Sequence, residues 1–508
     1  MPGPLVLIGF MGAGKSALGR RLAERRGVAF TDTDLVVEQR AGRPASDIFA
    51  EQGEAAFRQR ERDVVIEALG RGDDKVVALG GGAPLTPEVA QALTGHTVVW
   101  LDVSAATAWE RVRGSDRPLA KDETAFTVLH RERTAVYDRL ARAVLPPASL
   151  DTLAGADEAL RVLAGAAPEV RMAWGAAASG SYPAFVGPGA LGLAAPGAPG
   201  RRIVVTDETV AALHAGLAGE MAGLIEIAPG EEHKTLATTE RVWQAMVAQG
   251  VTRADHVLAL GGGVVGDLAG FAAACFQRGI SVVQAPTTVV SQVDSAYGGK
   301  TGVDLPEAKN YVGAYHQPAC VLSDTSTLAT LPPEEHAAGY AEVLKTALIA
   351  GGSLWDAVSA GAPVDADVIF GCVRTKLAVV AEDERDGGRR QVLNLGHTIG
   401  HALETVLGYG TLRHGEAVGL GLMAALRLSG QDELRAHVAE LLNTHGLPTT
   451  LGEHRADLDA VMSAITRDKK RVGGAPTPFV LVRAPGQVEH GCEVTAAEIE
   501  AAVRELAA

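Results

Sequence analysis

The sequence predicts an α/β protein whose last third turns mostly helical. Three observations carry that reading. A glycine loop, Gly9-Phe-Met-Gly-Ala-Gly-Lys15-Ser16, lies between a short apolar run, Leu5-Val-Leu-Ile8, and an amphipathic stretch from Ala17 to Arg25. A second, unlike glycine loop, Gly261-Gly-Gly-Val-Val-Gly-Asp267, follows the apolar run His256–Leu260 and leads into another helical stretch. Beyond about residue 328 strand signals thin out and helix spacing dominates. Two unrelated nucleotide-type loops in one chain read as two enzymes joined end to end.

Length and composition bound the answer. At 508 residues the chain can hold several cores, and 47% apolar with 21% charged residues is the balance of a globular protein. The net charge of −15 argues against a nucleic-acid surface. Cys275, Cys320, Cys372 and Cys492 show no Cys-x-x-Cys pair, and their spacing predicts reduced thiols in a cytoplasmic protein. The N-terminus lacks the basic start of a secretory signal, and no apolar run is long enough to span a bilayer, so no membrane partner is expected.

Element by element, Val28–Phe30 reads as a strand ending at Thr31-Asp32-Thr33-Asp34, and Ser46 to Leu69 as a helix. Val76–Leu79 is a buried strand ending at Gly80-Gly81-Gly82; Thr97–Leu101 is another, with a helix from Ala105. Such alternation implies a parallel sheet covered on both faces, an α/β/α layering. Pro146-Pro147 breaks the chain, residues 156–164 read as a helix, and the 173–200 region is rich in Ala and Gly. Alternation resumes with Arg202–Val205, Gly223–Ile227, His256–Leu260 and Ser281–Gln284. The division expected is 1–168, 169–327 and 328–508: a phosphate-loop domain, a Rossmann-like α/β subdomain and a mostly helical, metal-binding one.

The first loop has the residues phosphate binding needs. Backbone N–H groups of Gly12, Ala13, Gly14 and Ala17 can wrap an anion at a helix start, Lys15 supplies a point charge, and Ser16 can ligate magnesium. Asp32 and Asp34 stand two apart at a strand end, where an extended segment would turn them to one side. One could hold magnesium and the other steer a hydroxyl proton. Arg58 falls on a helix; Arg117-Pro118 lies in a polar stretch between helices, the place of a lid; Arg133 precedes Tyr137 by four residues.

Together these motifs resemble shikimate kinase, through about residue 165: the loop, Asp32-Thr-Asp34, Phe57-Arg58, Gly80-Gly-Gly82, Arg117-Pro-Leu119 and Arg133. The resemblance implies that Asp34, Arg58, Gly80, Gly81, Gly82 and Arg133 hold shikimate. It implies that Arg117 contacts ATP, and that Ser16 and Asp32 serve magnesium. Lys15, Asp34 and Arg117 would be catalytic. The nearest different reading is a kinase for another small polyol.

The second loop does not fit the usual dinucleotide fingerprint, because Asp267 follows its last glycine directly. The histidines sharpen matters. His397 and His401 stand one helical turn apart, His414-Gly-Glu416 follows, and Glu342 and Lys345 share a helix earlier in the chain. Two histidines and a glutamate make a catalytic zinc set. Read by spacing alone, His397 and His401 would both be ligands. Thr398 stands where a metalloprotease needs Glu, which excludes that class. Around these points gather Gln292, Asp294, Lys300, Lys309, Asn310, Lys376, Arg390, Asn394 and Lys469-Lys470, a set suited to a phosphorylated, polyhydroxylated substrate.

From about residue 171 onward the chain resembles 3-dehydroquinate synthase. The matching runs are Gly230-Glu-Glu-His-Lys234, Gly261–Asp267, Ala285-Pro-Thr287-Thr288, Gln292–Asn310, Glu342–Lys345, Leu393–Ala402 and His414-Gly-Glu-Ala. The resemblance implies Glu342, His397 and His414 as ligands of zinc, or of cobalt in its place, and turns His401 into a substrate contact and proton carrier. NAD would lie against Glu231, Lys234, Gly263, Val264, Val265, Gly266, Asp267, Thr287, Thr288, Lys300, Lys309 and the segment Thr327, Leu328, Ala329, Thr330. Asp294, Lys300, Asn310, Lys345, Lys376, Arg390, Asn394, His401 and Lys469 would contact 3-deoxy-D-arabino-heptulosonate 7-phosphate, with Lys345, Arg390 and His401 catalytic. In the implied reaction NAD oxidises one carbon and is regenerated, phosphate leaves, and the ring recloses as a carbocycle. A homodimer is implied as well. Pro229, Ala296-Tyr297 and Asp304 depart from the family's commonest residues. Rival readings are a related sugar-phosphate cyclase, a polyol dehydrogenase that consumes NAD, and a metabolite sensor that has lost its chemistry.

Overall fold

The computed structural model describes residues 3–70, 73–114, 119–147, 153–408, 410–454, 456–467 and 478–507. The chain divides into two compact units, Met1–Ala176 with Pro183–Phe185, and Ala177–Tyr182 with Val186–Ala508.

In the first unit five parallel strands form a sheet in the order Ala29–Asp32, Lys75–Ala78, Leu5–Ile8, Thr97–Leu101, Ala143–Leu145. The central strands Leu5–Ile8 and Lys75–Ala78 are buried at every residue. Both of their faces are therefore covered, which is why they read as unbroken apolar runs rather than alternating ones. Helix Lys15–Arg26 starts directly at the first glycine loop, with Gly14 in the left-handed region (φ 96°) at its N-cap. Helix Ala45–Gly70 turns at Gly53, whose φ of 81° and ψ of 169° are not helical. Its second half buries Phe57, Val64 and Val65.

One local expectation fails. Residues 31–34 are not a continuous extended segment: the strand ends at Asp32 and a helix, Thr33–Ala41, begins at the next residue. The Asp32 carboxylate accepts a hydrogen bond from the Asp34 N–H and caps that helix. Asp32 is thus a cap at the strand end while Asp34 sits in the first helical turn, so alternation does not set their directions. Side-chain capping by Asp competes with strand continuation, and here it wins.

In the second unit five parallel strands run in the order Cys320–Ser323, Ser281–Pro286, His256–Gly261, Arg202–Asp207, Gly223–Ile227. Helix Gly263–Cys275 begins inside the second glycine loop and packs Val265, Leu268 and Phe271 into a core with Ile203, Val257 and Val282. An antiparallel hairpin, Lys300–Leu305 with Ala308–Tyr315, then projects with a bulge between Val303 and Leu305. After Thr330 come helices Pro333–Ala350, Ala366–Glu382, His397–Leu407, His414–Leu428, Asp432–Thr444 and Ala496–Leu506. A hairpin, Phe479–Ala484 with Gln487–Cys492, interrupts this helical part. No helix among the described residues is long and apolar enough to cross a membrane.

Candidate active sites

In the first unit the loop, the strand ends and helix Ala45–Gly70 meet. Lys15 donates from Nζ to the carbonyls of Gly9 (2.8 Å) and Phe10 (3.1 Å), folding over the loop it belongs to. Ser16 donates to Asp32 Oδ2 at 2.6 Å, which brings the two expected magnesium groups together. Gly12 at φ 81° lies too close to the Ala108 carbonyl for a side chain (a Cβ would approach to 2.9 Å). Ala13 is buried and Ala17 falls in the first turn of the helix. Arg117 lies outside the described residues.

The triple glycine is explained by what stands over it. A Cβ at Gly80 would overlap the carboxylates of both Asp34 and Glu61. One at Gly82 would overlap the Arg58 guanidinium, and one at Gly81 would come within 3.5 Å of Arg133 Nη1. Asp34, Arg58, Arg133 and Glu61 therefore converge on one floor of bare backbone. The Gly80 N–H donates to Thr33 Oγ1 (3.1 Å), and the Tyr137 hydroxyl donates to the Gly81 carbonyl (2.5 Å). Arg133 is buried and its guanidinium stands 5.6 Å from the Phe10 ring centroid. Arg58 Nη1 donates to Glu61 Oε2 (2.7 Å) and Nη2 to Glu54 Oε1 (2.9 Å).

Glu61 went unread in the sequence. Its only local signal is the three-residue step from Arg58, which any charged helix face shows. It is 1% exposed, and its Oε1 has no hydrogen-bond partner. Burial pushes its pKa up to about 7 against the pull of Arg58, with Asp34 adding to the rise.

In the second unit the groups fall into two linked clusters. Around the glycine loop, a buried Lys234 Nζ donates to Asp267 Oδ2 (2.7 Å) and Asn310 Oδ1 (2.6 Å), with Glu231 Oε1 at 3.7 Å. Burial works against that ammonium, yet Asp267 and Glu231 hold its pKa above the ordinary value. Asn310 adopts φ 53°, and its N–H is taken by Asp304 Oδ1 at 2.6 Å. Gly263, Val264, Val265 and Gly266 form the first turn of helix Gly263–Cys275. Thr287 N–H donates to the Gly261 carbonyl, and a Cβ at Gly262 would touch Thr288 at 3.0 Å. The turn Thr325–Thr330 is pinned through Thr327, which meets the Gln292 amide at 3.2 Å, while Ala329 and Thr330 face outward beside half-buried Leu328.

The other cluster centres on Glu342. Helices Pro333–Ala350, His397–Leu407 and His414–Leu428 bring its carboxylate to His397 Nε2 (3.4 Å) and His414 Nε2 (3.2 Å). Ligand atoms of these three residues lie within 4.8 Å of one another. Neither Glu342 oxygen receives a hydrogen bond of good geometry, although the side chain is fully buried. A buried carboxylate facing two imidazoles, with a lysine beside it, is a donor set fit for a divalent metal. Lys345 Nζ sits 2.5 Å from Glu342 Oε2 and donates to Asp294 Oδ2 at 3.0 Å; Lys376 is paired with the same aspartate. Burial opposes the charge on Glu342, but Lys345 and His397 hold its pKa well below the ordinary value. Burial lowers Lys376 to about 8 despite Asp294. Burial also lowers His397, which favours the neutral, ligating imidazole. A π-helical turn, Ser291–Ser295, delivers Asp294 into the cluster.

His401 joins the imidazole group, its ring 5.1 Å from that of His397 and 6.0 Å from that of His414. It is exposed and belongs to a second set with Glu404 and His414. Arg390 is 2% exposed; its Nη1 donates to the Glu384 carbonyl (2.5 Å) and its Nη2 to that of Gly298 (3.0 Å). Asn394 donates to the Gln391 carbonyl at 3.1 Å, and the exposed Lys300 pairs with Asp386 at 2.6 Å. Lys309 Nζ stands 3.7 Å from Glu404 Oε1. Lys469 lies outside the described residues. Glu404, unlike its neighbours, was not picked out of the sequence, where one glutamate late in a helix carries no signal.

Fold and sites define two classes in one chain: a phosphate-loop kinase for a small acid, and a metal-assisted enzyme built on a nucleotide-type glycine loop. Family models match in the same order: shikimate kinase over residues 11–164, 3-dehydroquinate synthase N-terminal over 224–338, and 3-dehydroquinate synthase C-terminal over 339–471. A 3-dehydroquinate synthase of Caulobacter vibrioides is 44% identical over 353 residues, 63% of this chain and 95% of that protein. Among solved structures, a 2-deoxy-scyllo-inosose synthase complexed with carbaglucose-6-phosphate, NAD+ and Co2+ matches at TM-score 0.56 and 25% identity, over 66% of this chain and 99% of the other. A 2-epi-5-epi-valiolone synthase from Streptomyces hygroscopicus with NAD+ and Zn2+ matches at TM-score 0.56 and 29% identity, over 61% of this chain and 91% of the other. The chain belongs to the 3-dehydroquinate synthase family and carries a shikimate kinase domain before it, a bifunctional enzyme of the shikimate pathway.

Proposed function

We propose the following division of labour among its residues. In residues 1–168, Gly12 to Ala17 cradle the phosphates of ATP, with magnesium held between Ser16 and Asp32. Arg58 and Arg133 clamp the shikimate carboxylate as planar two-donor forks, and Asp34 receives the hydroxyl proton as Lys15 and Arg117 steady the transferring phosphoryl. Residues 169–327 bind NAD along the glycine loop, with Lys234 and Asp267 as its fixed polar wall. Residues 328–508 supply the divalent ion's ligands, Glu342, His397 and His414, and most of the contacts to the heptulosonate phosphate.

When bound, NAD and the metal supply reversible oxidation at one carbon and polarisation of the hydroxyl on it. The chain's own groups do the rest. Lys345 and Lys376, held by Asp294, offer charge to the substrate's anionic groups, and His401 carries a proton at the open side of the imidazole cluster. Arg390 is anchored on two carbonyls, with a third nitrogen, Nε, left without a partner. A homodimer and a cytoplasmic setting complete the reading; the latter rests on the four free cysteines.

The observation that carries this function is the convergence of Glu342, His397 and His414 from three separate helices. The test supplies the heptulosonate phosphate with sub-stoichiometric NAD. Many turnovers of phosphate release are expected, lost on chelation and restored by zinc or cobalt; NAD consumed one for one would indicate a dehydrogenase instead. The likeness to a 2-deoxy-scyllo-inosose synthase solved with carbaglucose-6-phosphate gives a second reading, a cyclase for another sugar phosphate. Turnover of glucose 6-phosphate in preference to the heptulosonate would favour it.

A further inference from the structure

An imidazole has two nitrogens, and the one that binds metal performs best when the other is held. His397 meets this condition within its own segment, since its Nδ1 lies 3.1 Å from the Leu395 carbonyl. His414 does not. It stands at the first position of helix His414–Leu428, its side chain is 39% exposed, and its Nε2 faces Glu342. What faces its Nδ1 is Glu404 Oε2, at 3.6 Å.

Glu404 is an odd residue for its place. It sits in the last turn of helix His397–Leu407, where the helix dipole disfavours an anion, and it is only 5% exposed. A buried carboxylate in such a position is costly unless its partners repay it. The described ion-pair partners are His414 on one oxygen and Lys309, from the hairpin strand Ala308–Tyr315, on the other. Neither the phosphate-binding nor the metal-ligating reading uses this carboxylate.

We propose that Glu404 is a positioning residue for the metal centre: it holds the proton of His414 on Nδ1 and fixes the ring so that Nε2 points at the ion, while Lys309 keeps the carboxylate itself in place. The inference rests on the reading of Glu342, His397 and His414 as metal ligands. Among the described residues Glu404 is the one ion-pair partner on the Nδ1 side of His414, the most exposed of the three, and its loss frees the ring to rotate.

The test uses the full chain stripped of metal and titrated with Co2+ as probe, read by visible ligand-field absorption and by competition with a chelator. Glu404→Ala should bind Co2+ about 10–100-fold more weakly and change the shape of the band, while the melting midpoint of the metal-free protein stays near that of the parent. Glu404→Gln keeps the volume and an acceptor oxygen but not the charge, and should lose about fivefold; it decides the matter if the alanine variant does not fold. Affinity within about twofold of the parent in the alanine variant, or in the glutamine variant where only that one folds, overturns the proposal. Parent protein that binds no Co2+, or binds it equally after His397→Ala, would instead sink the ligand reading on which the proposal stands.

Discussion

At the floor of the kinase site three glycines are each roofed by a different side chain, and this makes a sharp residue-scale test. The atoms a Cβ would strike at Gly82 belong to the tip of Arg58, a flexible side chain that can move without disturbing the fold. Gly82→Ala is therefore expected to raise KM for shikimate about tenfold or more, the loss of one charge-assisted contact, with the KM for ATP and the melting midpoint little changed. Equal damage to both substrates would contradict it. Glu61 gives a second test. Its folded pKa, about 7, lies above the ordinary glutamate value of 4.5, so the native state binds the extra proton. Its contribution to stability is then fully present below pH 4.5 and is lost as pH rises toward 7, at most about 3 kcal/mol. Calorimetry of Glu61→Gln should show the N-terminal unit's unfolding falling less between those pH values than in the parent. Neither Glu61 nor Glu404 could be seen in the sequence, because each is defined by burial against residues distant in the chain. Asp34, Arg58 and Arg133 were legible because their motifs carry them.

At the scale of elements, the candidate metal cradle depends on how closely three helices approach. A Cβ at Gly415 would overlap the Ala338 carbonyl, one at Gly421 the Gly396 carbonyl, and one at Gly400 would come 2.9 Å from the Ala417 carbonyl. Backbone meets backbone at each crossing, and the proposed ligands sit one residue or a few away. Gly415→Ala should cost about 1–3 kcal/mol by overpacking and should weaken Co2+ binding at the same time, because it shifts the helix that starts at His414. A variant that binds the ion normally would show that the spacing is not what sets the cradle. Periodicity made these helices legible and placed most parallel strands of both units within a residue or two. It did not reveal the hairpins Lys300–Leu305 with Ala308–Tyr315 and Phe479–Ala484 with Gln487–Cys492: Ala308–Tyr315 and Gln487–Cys492 are largely exposed and lack an apolar run, and the buried run Phe479–Val482 stands alone among helix-spaced residues. The extended reading of Asp32 to Asp34 failed for a related reason: a side-chain cap is a local choice that hydrophobic pattern does not encode.

For the whole molecule, the two chemistries are borne by separate units, each with its own set of parallel strands and its own glycine loop. Lys15→Ala should lower shikimate phosphorylation at least about 100-fold and leave dehydroquinate formation unchanged. Glu342→Gln should do the reverse, abolishing chelator-sensitive phosphate release while the kinase rate holds. Paired assays on the same preparations check both, and a double loss from either change would show that the units are not independent. The helix crossings at Gly396, Gly400, Gly415 and Gly421 bear on how this chain can change over time. A Cβ would overlap a backbone carbonyl oxygen at Gly415 and Gly421, and would fall 2.9 Å from one at Gly400 and 3.0 Å from the Leu422 amide nitrogen at Gly396, where φ is also 79°, so any side chain is penalised there whatever its polarity. A saturation library selected for aromatic prototrophy should therefore return those four codons almost unaltered, even among clones that have drifted freely on the surrounding surface.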